Sequence, residues 1–409
     1  MNIKIISYLL ATAFFFQTVN IFSCTTAIIS GKFTNDGRPI LVKHRDASFE
    51  QNKLTYFEDG KYPYIGLVNS VDKNGDEVWG GCNEAGFAIM NSASYNLKPE
   101  NDTTKEMDKE GFLMKLALQK CANIDDFEQL LMELPKPLGV EANFGVIDAA
   151  GGCAYFECDN FSYKKFDAND PITAPFGYLI RTNFSFSGAP DEGYGYIRYL
   201  TAEQLFYNAE AENNLSYKFI LQDVSRCLKN SLTGISLSEQ KVSEKETKFY
   251  PFEDFIVRNS SVSTILVQGV KKGESPKLST VWTILGFQLC SVAIPTWVET
   301  GKNLPACLTE NESGIAPLCD YSLRLKNKCF PIKRGSGNKY LNLPFVVNEE
   351  GTGILKKLNP MENSIIRESQ KRMKEWRLLG HIPKQEAKNF YDWVDETVFN
   401  FYESVLEDN

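Results

Sequence analysis

CTTAIISGKFTNDGRPILVKHRD, residues 24–46, is the stretch on which the fold turns. "CTTAIIS" and "PILVKHRD" are rich in β-branched and apolar residues and read as two strands. Thr34-Asn35-Asp36-Gly37 between them reads as the turn. Upstream, Lys4 precedes an apolar run from Ile5 to Phe16, and Gln17 to Ser23 follow. That run is too short for a bilayer span and the segment ends at a small residue. It predicts an export signal over 1–23, cleaved between Ser23 and Cys24. A cysteine would then be the first residue of the mature chain, with Arg45 and Asp46 closing the partner strand.

The bulk numbers agree with an exported globular protein. Of 409 residues, 43% are hydrophobic and 23% charged, enough for a real core in one large domain or two ordinary ones. A net charge of -8 gives no support to a nucleic-acid partner, which would need a basic face. No other apolar stretch predicts a membrane span. Ten cysteines leave disulfide pairing open in an oxidising compartment. Cys153 and Cys158 share one strand and point to opposite faces, so they should not bridge each other. No cysteine or histidine spacing suits zinc, and no metal is expected.

Downstream, "DEVWGGCNEAGFAIMNSAS" and "NFGVIDAAGGCAYFEC" read as hairpins, and "GYLIRTNF" as a buried strand. "SVSTILVQGV" and "TVWTILGF" read as late core strands. "EGFLMKLALQKCA", "IDDFEQLLMEL", "TAEQLFYNAEA" and "YKFILQDVSRCL" have helical spacing. Two helices, Asn359 to Leu379 and Pro383 to Leu406, should close the chain within an extension over 351–409, against the same subunit or as a dimer contact. Strands interspersed with helices, without regular βαβ alternation, predict an α+β layered fold over 24–350.

Catalytic candidates are constrained by the scarcity of histidine. Only His44 and His381 are present. No Gly-x-Ser-x-Gly elbow and no glycine-rich phosphate loop accompanies them. A mature chain that starts at Cys24 has another base: its α-amino group, with an ordinary pKa of about 7.7–8.0. That amine can activate the thiol on its own residue. The site then needs a carboxylate to orient the amine, for which Asp46 is placed. It also needs a cation near the thiolate, from Arg45 or Lys43, and amide donors for the oxyanion. Strand alternation sets Lys43 and Arg45 on the face opposite His44 and Asp46, so aiming them together requires a bulge. The plain alternative is that Cys24 is a small core residue and Arg45-Asp46 a surface pair. A further one takes "IFSC" as a loose lipobox, with the cysteine lipidated, its amine acylated and the protein membrane-anchored.

The segment from Cys24 to Asp46 resembles the amino-terminal signature of the cysteine N-terminal nucleophile (Ntn) hydrolases. These include choloylglycine hydrolases, acid ceramidase-like enzymes, penicillin acyltransferase-like proteins and secreted dipeptidases that begin Cys-Thr-Thr. Many members have Arg three residues before the aspartate, where this chain has Lys43. "NEAGFAIMNSAS" is similar to the family hairpin whose final Asn supplies the oxyanion hole, which implies Asn91. "LIRTNFSF" is similar to the later Thr-Asn strand, which implies that Asn183 holds the substrate amide. In choloylglycine hydrolases an arginine follows a Ser-x-Ser segment. Here Thr264 stands at that place, and Arg258 is the nearest arginine. The resemblance covers about Cys24 to Val298 and leans to the penicillin acyltransferase-like group. It implies a four-layer αββα sandwich and a secreted or periplasmic, cofactor-free hydrolase of linear C–N amide bonds in a small N-acyl substrate. Acyl transfer, dipeptide cleavage or an inactive binding lipoprotein are the alternatives, and a homo-oligomer is left open. Phe184, Phe186, Tyr194 and Tyr196 would suit an apolar acyl pocket, with a place in the core as the plain alternative. Asn183 also begins an Asn-x-Ser glycosylation acceptor, as do Asn160, Asn214, Asn259 and Asn311, with Asn101 beginning an Asn-x-Thr one; a catalytic Asn183 would have to be buried.

Overall fold

A computed structural model describes residues 23–407. The first hairpin forms as its sequence suggests. β1 (Thr25–Ile29) pairs antiparallel with β2 (Ile40–Asp46), with Thr25 opposite His44, and Gly37 in the turn takes a left-handed φ of 73°. Seven strands then follow in meander order: β3 (Asn52–Phe57), β4 (Tyr64–Asn69), β5 (Gly81–Asn83), β6 (Ala88–Ala93), β7 (Ala142–Ile147), β8 (Cys153–Cys158) and β9 (Tyr163–Asp167). The tight turn from β5 to β6 is built by Asn83, whose Oδ1 accepts from the Ala85 and Phe87 amides, and by Gly86 at φ 78°.

β10 (Tyr178–Arg181), β11 (Ser261–Gln268), β12 (Thr280–Leu285) and β13 (Ile294–Thr296) return to the first hairpin. The result is a six-stranded sheet ordered β10-β1-β2-β11-β12-β13. β11 carries a bulge: Ser261 opposes Asp46 and Ser263 opposes Arg45, leaving Val262 as the extra residue.

Three apolar layers hold the sheets. Ile28, Leu41 and Ile265 of the six-stranded sheet meet Met90, Ile147 and Tyr155 of the seven-stranded one between them. The outer face of the seven-stranded sheet buries Ile89, Phe144 and Phe156 against Leu113 of α1 (Glu110–Lys120) and Phe127 of α2 (Ile124–Glu133). Asn123 caps α2 by accepting from the Asp126 amide at 2.9 Å. On the other side Ile29, Val42 and Trp282 pack against Phe206 of α3 (Tyr196–Ala211) and a π-helical turn at Ile220–Val224. The layer order is αββα, as the resemblance implies.

The central core continues into α4 (Pro317–Cys329), α5 (Ile354–Leu379) and α6 (Lys384–Glu407), through Leu325, Trp376 and Tyr402 beside Trp297. α5 starts five residues before its expected start, with Pro360 inside the helix. Glu362 of α5 accepts two hydrogen bonds from the Arg226 guanidinium, at 2.8 and 2.5 Å, and one from the Ala293 amide at 2.8 Å. Among the described residues no helix is long and apolar enough to cross a membrane. All ten cysteines are unpaired. Cys153 and Cys158 face different layers, and Cys290 and Cys329 are 3.4 Å apart at sulfur. The proposed signal segment, apart from Ser23, lies outside the described residues.

Candidate active site

Cys24 stands immediately before β1, 5% exposed, on the wall of a cleft of about 630 Å³. Lys43, Arg45 and Asp46 of β2 and Asn91 of β6 line the same cleft, with Trp79, Glu77, Glu110 and Tyr95 around them. The two central sheets therefore each deliver part of one polar site. Lys43, Arg45 and Asp46 reach it together despite alternation, and the β11 bulge lies directly opposite the Arg45–Asp46 step.

The nitrogen of Cys24 donates to Asn183 Oδ1 at 2.9 Å, and Asn183 Nδ2 donates to the Ala93 carbonyl at 2.9 Å. Asn183 is fully buried, so its glycosylation motif is inaccessible. Asp46, 22 residues after Cys24 in the sequence, is engaged elsewhere: it accepts from Ser261 Oγ at 2.6 Å and pairs with Arg258 Nη2. The side chain on the Cys24 nitrogen is thus Asn183. Burial raises the Asp46 carboxyl, while Arg258 and Arg198 pull it down. Arg258 also reaches the Ser23 carbonyl at 3.4 Å.

Lys43 is 1% exposed and donates to Asn91 Oδ1 at 2.6 Å. An ammonium can only donate, so the Asn91 amide must turn its oxygen to Lys43 and its NH₂ group away. Burial lowers Lys43 to about 8; the nearby Cys24 opposes that shift and Arg45 adds to it. Arg45 donates to Asn52 Oδ1 and stacks over Trp79 with 4.7 Å between guanidinium carbon and ring centre. Burial lowers it to about 10. Glu110 is raised to about 7 by burial.

His44 faces away from this cleft. Its Nε2 lies 3.0 Å from Ser261 Oγ and its Nδ1 3.4 Å from Thr264 Oγ1. Burial, then Arg258 and Arg198, depress it to about 3, which keeps the ring neutral. His381 is exposed beyond the end of α5. The aromatic residues around Asn183 do not line the cleft: Phe186, Tyr194 and Tyr196 are about half exposed at 52%, 49% and 61%. Phe49, Trp79 and Tyr95 supply its rings instead.

Arg198 is the residue the sequence reading passed over. It sits in the first turn of α3, 2% exposed, and donates to the Cys24 carbonyl at 2.5 Å, Thr25 Oγ1 at 2.9 Å and Asn183 Oδ1 at 2.7 Å. It lies within "RYLTAEQLF", and its only signal was an arginine opening a helix behind Gly193 and Gly195.

The αββα layer order, with a cysteine heading a central strand, is the architecture that the resemblance to the Ntn hydrolases implies. No family model matches the sequence. No curated protein matches it either. Among solved structures, an N-acylethanolamine-hydrolyzing acid amidase ortholog from Caenorhabditis elegans is similar at 14% identity and TM-score 0.41, over 60% of this chain and 92% of its own. Penicillin V acylase from Agrobacterium tumefaciens is similar at 10% identity and TM-score 0.35, over 67% and 86%. A mutant of conjugated bile acid hydrolase from Clostridium perfringens is similar at 12% and 0.34, over 64% and 89%.

Proposed function

We propose that this chain is an exported amidase that cleaves linear C–N amide bonds of small N-acyl substrates, with Cys24 as its N-terminal nucleophile. The observation that carries the reading is the convergence at one residue: the Cys24 nitrogen is oriented by Asn183, and its side chain shares a cleft with an Asn91 amide whose NH₂ is turned away from Lys43. Removal of residues 1–23 would make that nitrogen an amine with a lone pair. The amine takes the thiol proton and sulfur attacks the amide carbon. The oxyanion accepts from Asn91 Nδ2 and a backbone N–H. As the tetrahedral intermediate collapses, the C–N bond breaks and the Cys24 ammonium protonates the departing amine. Water, deprotonated by the same α-amine, then cleaves the thioester and releases the acid. Asp46, Arg258 and Ser261 brace the end of β2 beside the nucleophile. The Arg45 and Lys43 cations favour the thiolate.

The test pairs amino-terminal sequencing of the secreted protein with a screen of N-acyl amides against wild type and Cys24→Ala. The expected outcome is a mature chain starting at Cys24 and no turnover by the alanine variant. Full turnover by Cys24→Ala, or a blocked terminus on active enzyme, would overturn the reading.

A further inference from the structure

Arg198 is a buried cation with no carboxylate oxygen within ion-pair distance among the described residues. Its hydrogen bonds go to the backbone and neighbours of a single residue, Cys24. One arm of the fork holds the Cys24 carbonyl and Thr25 Oγ1, and the other holds Asn183 Oδ1. Asn183 Oδ1 is also the acceptor for the Cys24 nitrogen. The fork therefore fixes both the residue bearing the nitrogen and the atom that orients that nitrogen. The fold makes room for it. Gly195, the N-cap of α3, has φ 83°, and a Cβ there would lie 2.1 Å from Arg198 Nη2. A side chain at 195 would strain the backbone and displace the guanidinium together.

The charged groups about Cys24 among the described residues are Lys43, Arg45 and Asp46 from β2, Arg258 and Asp254 from the segment before β11, Arg198 from α3, and Glu77, Glu110, Asp108, Glu141 and Lys98 across the cleft. Asp46 is paired with Arg258. Of these groups, only Arg198 is bonded to the acceptor of the Cys24 nitrogen. Burial lowers Arg198 to about 9, with Arg258 adding to that shift and Asp46 and Cys24 opposing it. Over acid and neutral pH it is therefore charged and disfavours a second positive charge beside it.

We infer that Arg198 is a positioning residue for the nucleophile: it aims the Cys24 nitrogen through Asn183 and holds that nitrogen, once freed, in its uncharged, proton-accepting form. The inference rests on reading Cys24 as an N-terminal nucleophile, but it can be tested without a substrate. Mature protein starting at Cys24 is alkylated with iodoacetamide from pH 5 to 9, and modification of the amino-terminal peptide is followed by mass spectrometry.

Loss of the positive charge in Arg198→Met should move the acid midpoint of alkylation up by about one pH unit. Near pH 6.5 the variant would react roughly tenfold more slowly than wild type, and the two rates would converge at high pH. Arg198→Lys keeps the charge and loses the fork, so its midpoint should stay while its plateau falls several-fold. A merely structural role lowers the plateau or the melting temperature and leaves the midpoint in place. That result in folded Arg198→Met would overturn the inference. Should the methionine variant not fold, Gly195→Ala displaces the same guanidinium; its midpoint should also rise, and an unmoved midpoint overturns the inference equally. A midpoint that responds to Arg198 in an enzyme that hydrolyses no N-acyl amide would sink the proposed activity and leave this inference standing.

Discussion

Lys43 shows how one protonation state can set the orientation of a neutral neighbour. Its ammonium dictates which end of the Asn91 amide faces the cleft. Burial brings its pKa down to about 8, within the range where enzymes are assayed. Activity should therefore fall on an alkaline limb near pH 8. Lys43→Arg should extend the plateau toward pH 9 in a kcat/KM profile, because a guanidinium gives up its proton at higher pH than an ammonium does. Glu110 works in the opposite sense. Its folded pKa of about 7 lies above the ordinary value of 4.5, so between those values the native state holds more protons than the unfolded chain. Stability supplied by this group is full below pH 4.5 and is lost as pH rises through 7. Glu110→Gln can still accept from the Glu141 amide, and should be more stable than wild type at pH 8 by up to about 3 kcal/mol, with no advantage at pH 4.5, in urea titrations.

At the scale of elements, the opening hairpin and the strand leading into Asn183 were legible because β-branched runs bounded by turn residues leave few alternatives. Cys24, Lys43, Arg45 and Asp46 come from the motif of that hairpin, Asn91 from the β5–β6 hairpin, Asn183 from the segment after β10 and Arg258 from the segment before β11. How Asp46 joins Lys43 and Arg45 was not legible. The bulge belongs to β11, more than two hundred residues later, and only pairing reveals that Val262 is the extra residue. Arg198 was hidden for the same reason, since its partners lie 174, 173 and 15 residues away. Ser261 is the pin of this arrangement: its hydroxyl donates to Asp46, lies 3.0 Å from His44 Nε2, and accepts from the Arg258 amide at 3.0 Å. Ser261→Ala leaves those groups short of a partner. It should destabilise the protein by about 1–3 kcal/mol in denaturant unfolding.

For the whole molecule, amphipathic spacing reported the closing helices, but their attachment was invisible. Glu362 is 1% exposed and its partner Arg226 is 136 residues away, so nothing nearby in the sequence marked it as buried. A fully desolvated bidentate pair that also caps the Ala293 amide ties α5 to the body beside the six-stranded sheet. Glu362→Ala strands a buried guanidinium and should cost about 3–5 kcal/mol, seen as a lower midpoint in thermal or urea unfolding. Replacing both partners with apolar residues of similar volume should recover much of that loss, which separates the stranded charge from simple loss of packing.

The peptide bond between Ser23 and Cys24 has one more effect under the proposed chemistry. While it is intact, the nitrogen bonded to Asn183 is a planar amide whose lone pair is delocalised. The rest of the cleft is already in place, yet the unprocessed chain lacks the one amine that the proposed chemistry uses to accept the thiol proton. On the proposed chemistry the precursor would be a latent enzyme, armed only by the cut between Ser23 and Cys24.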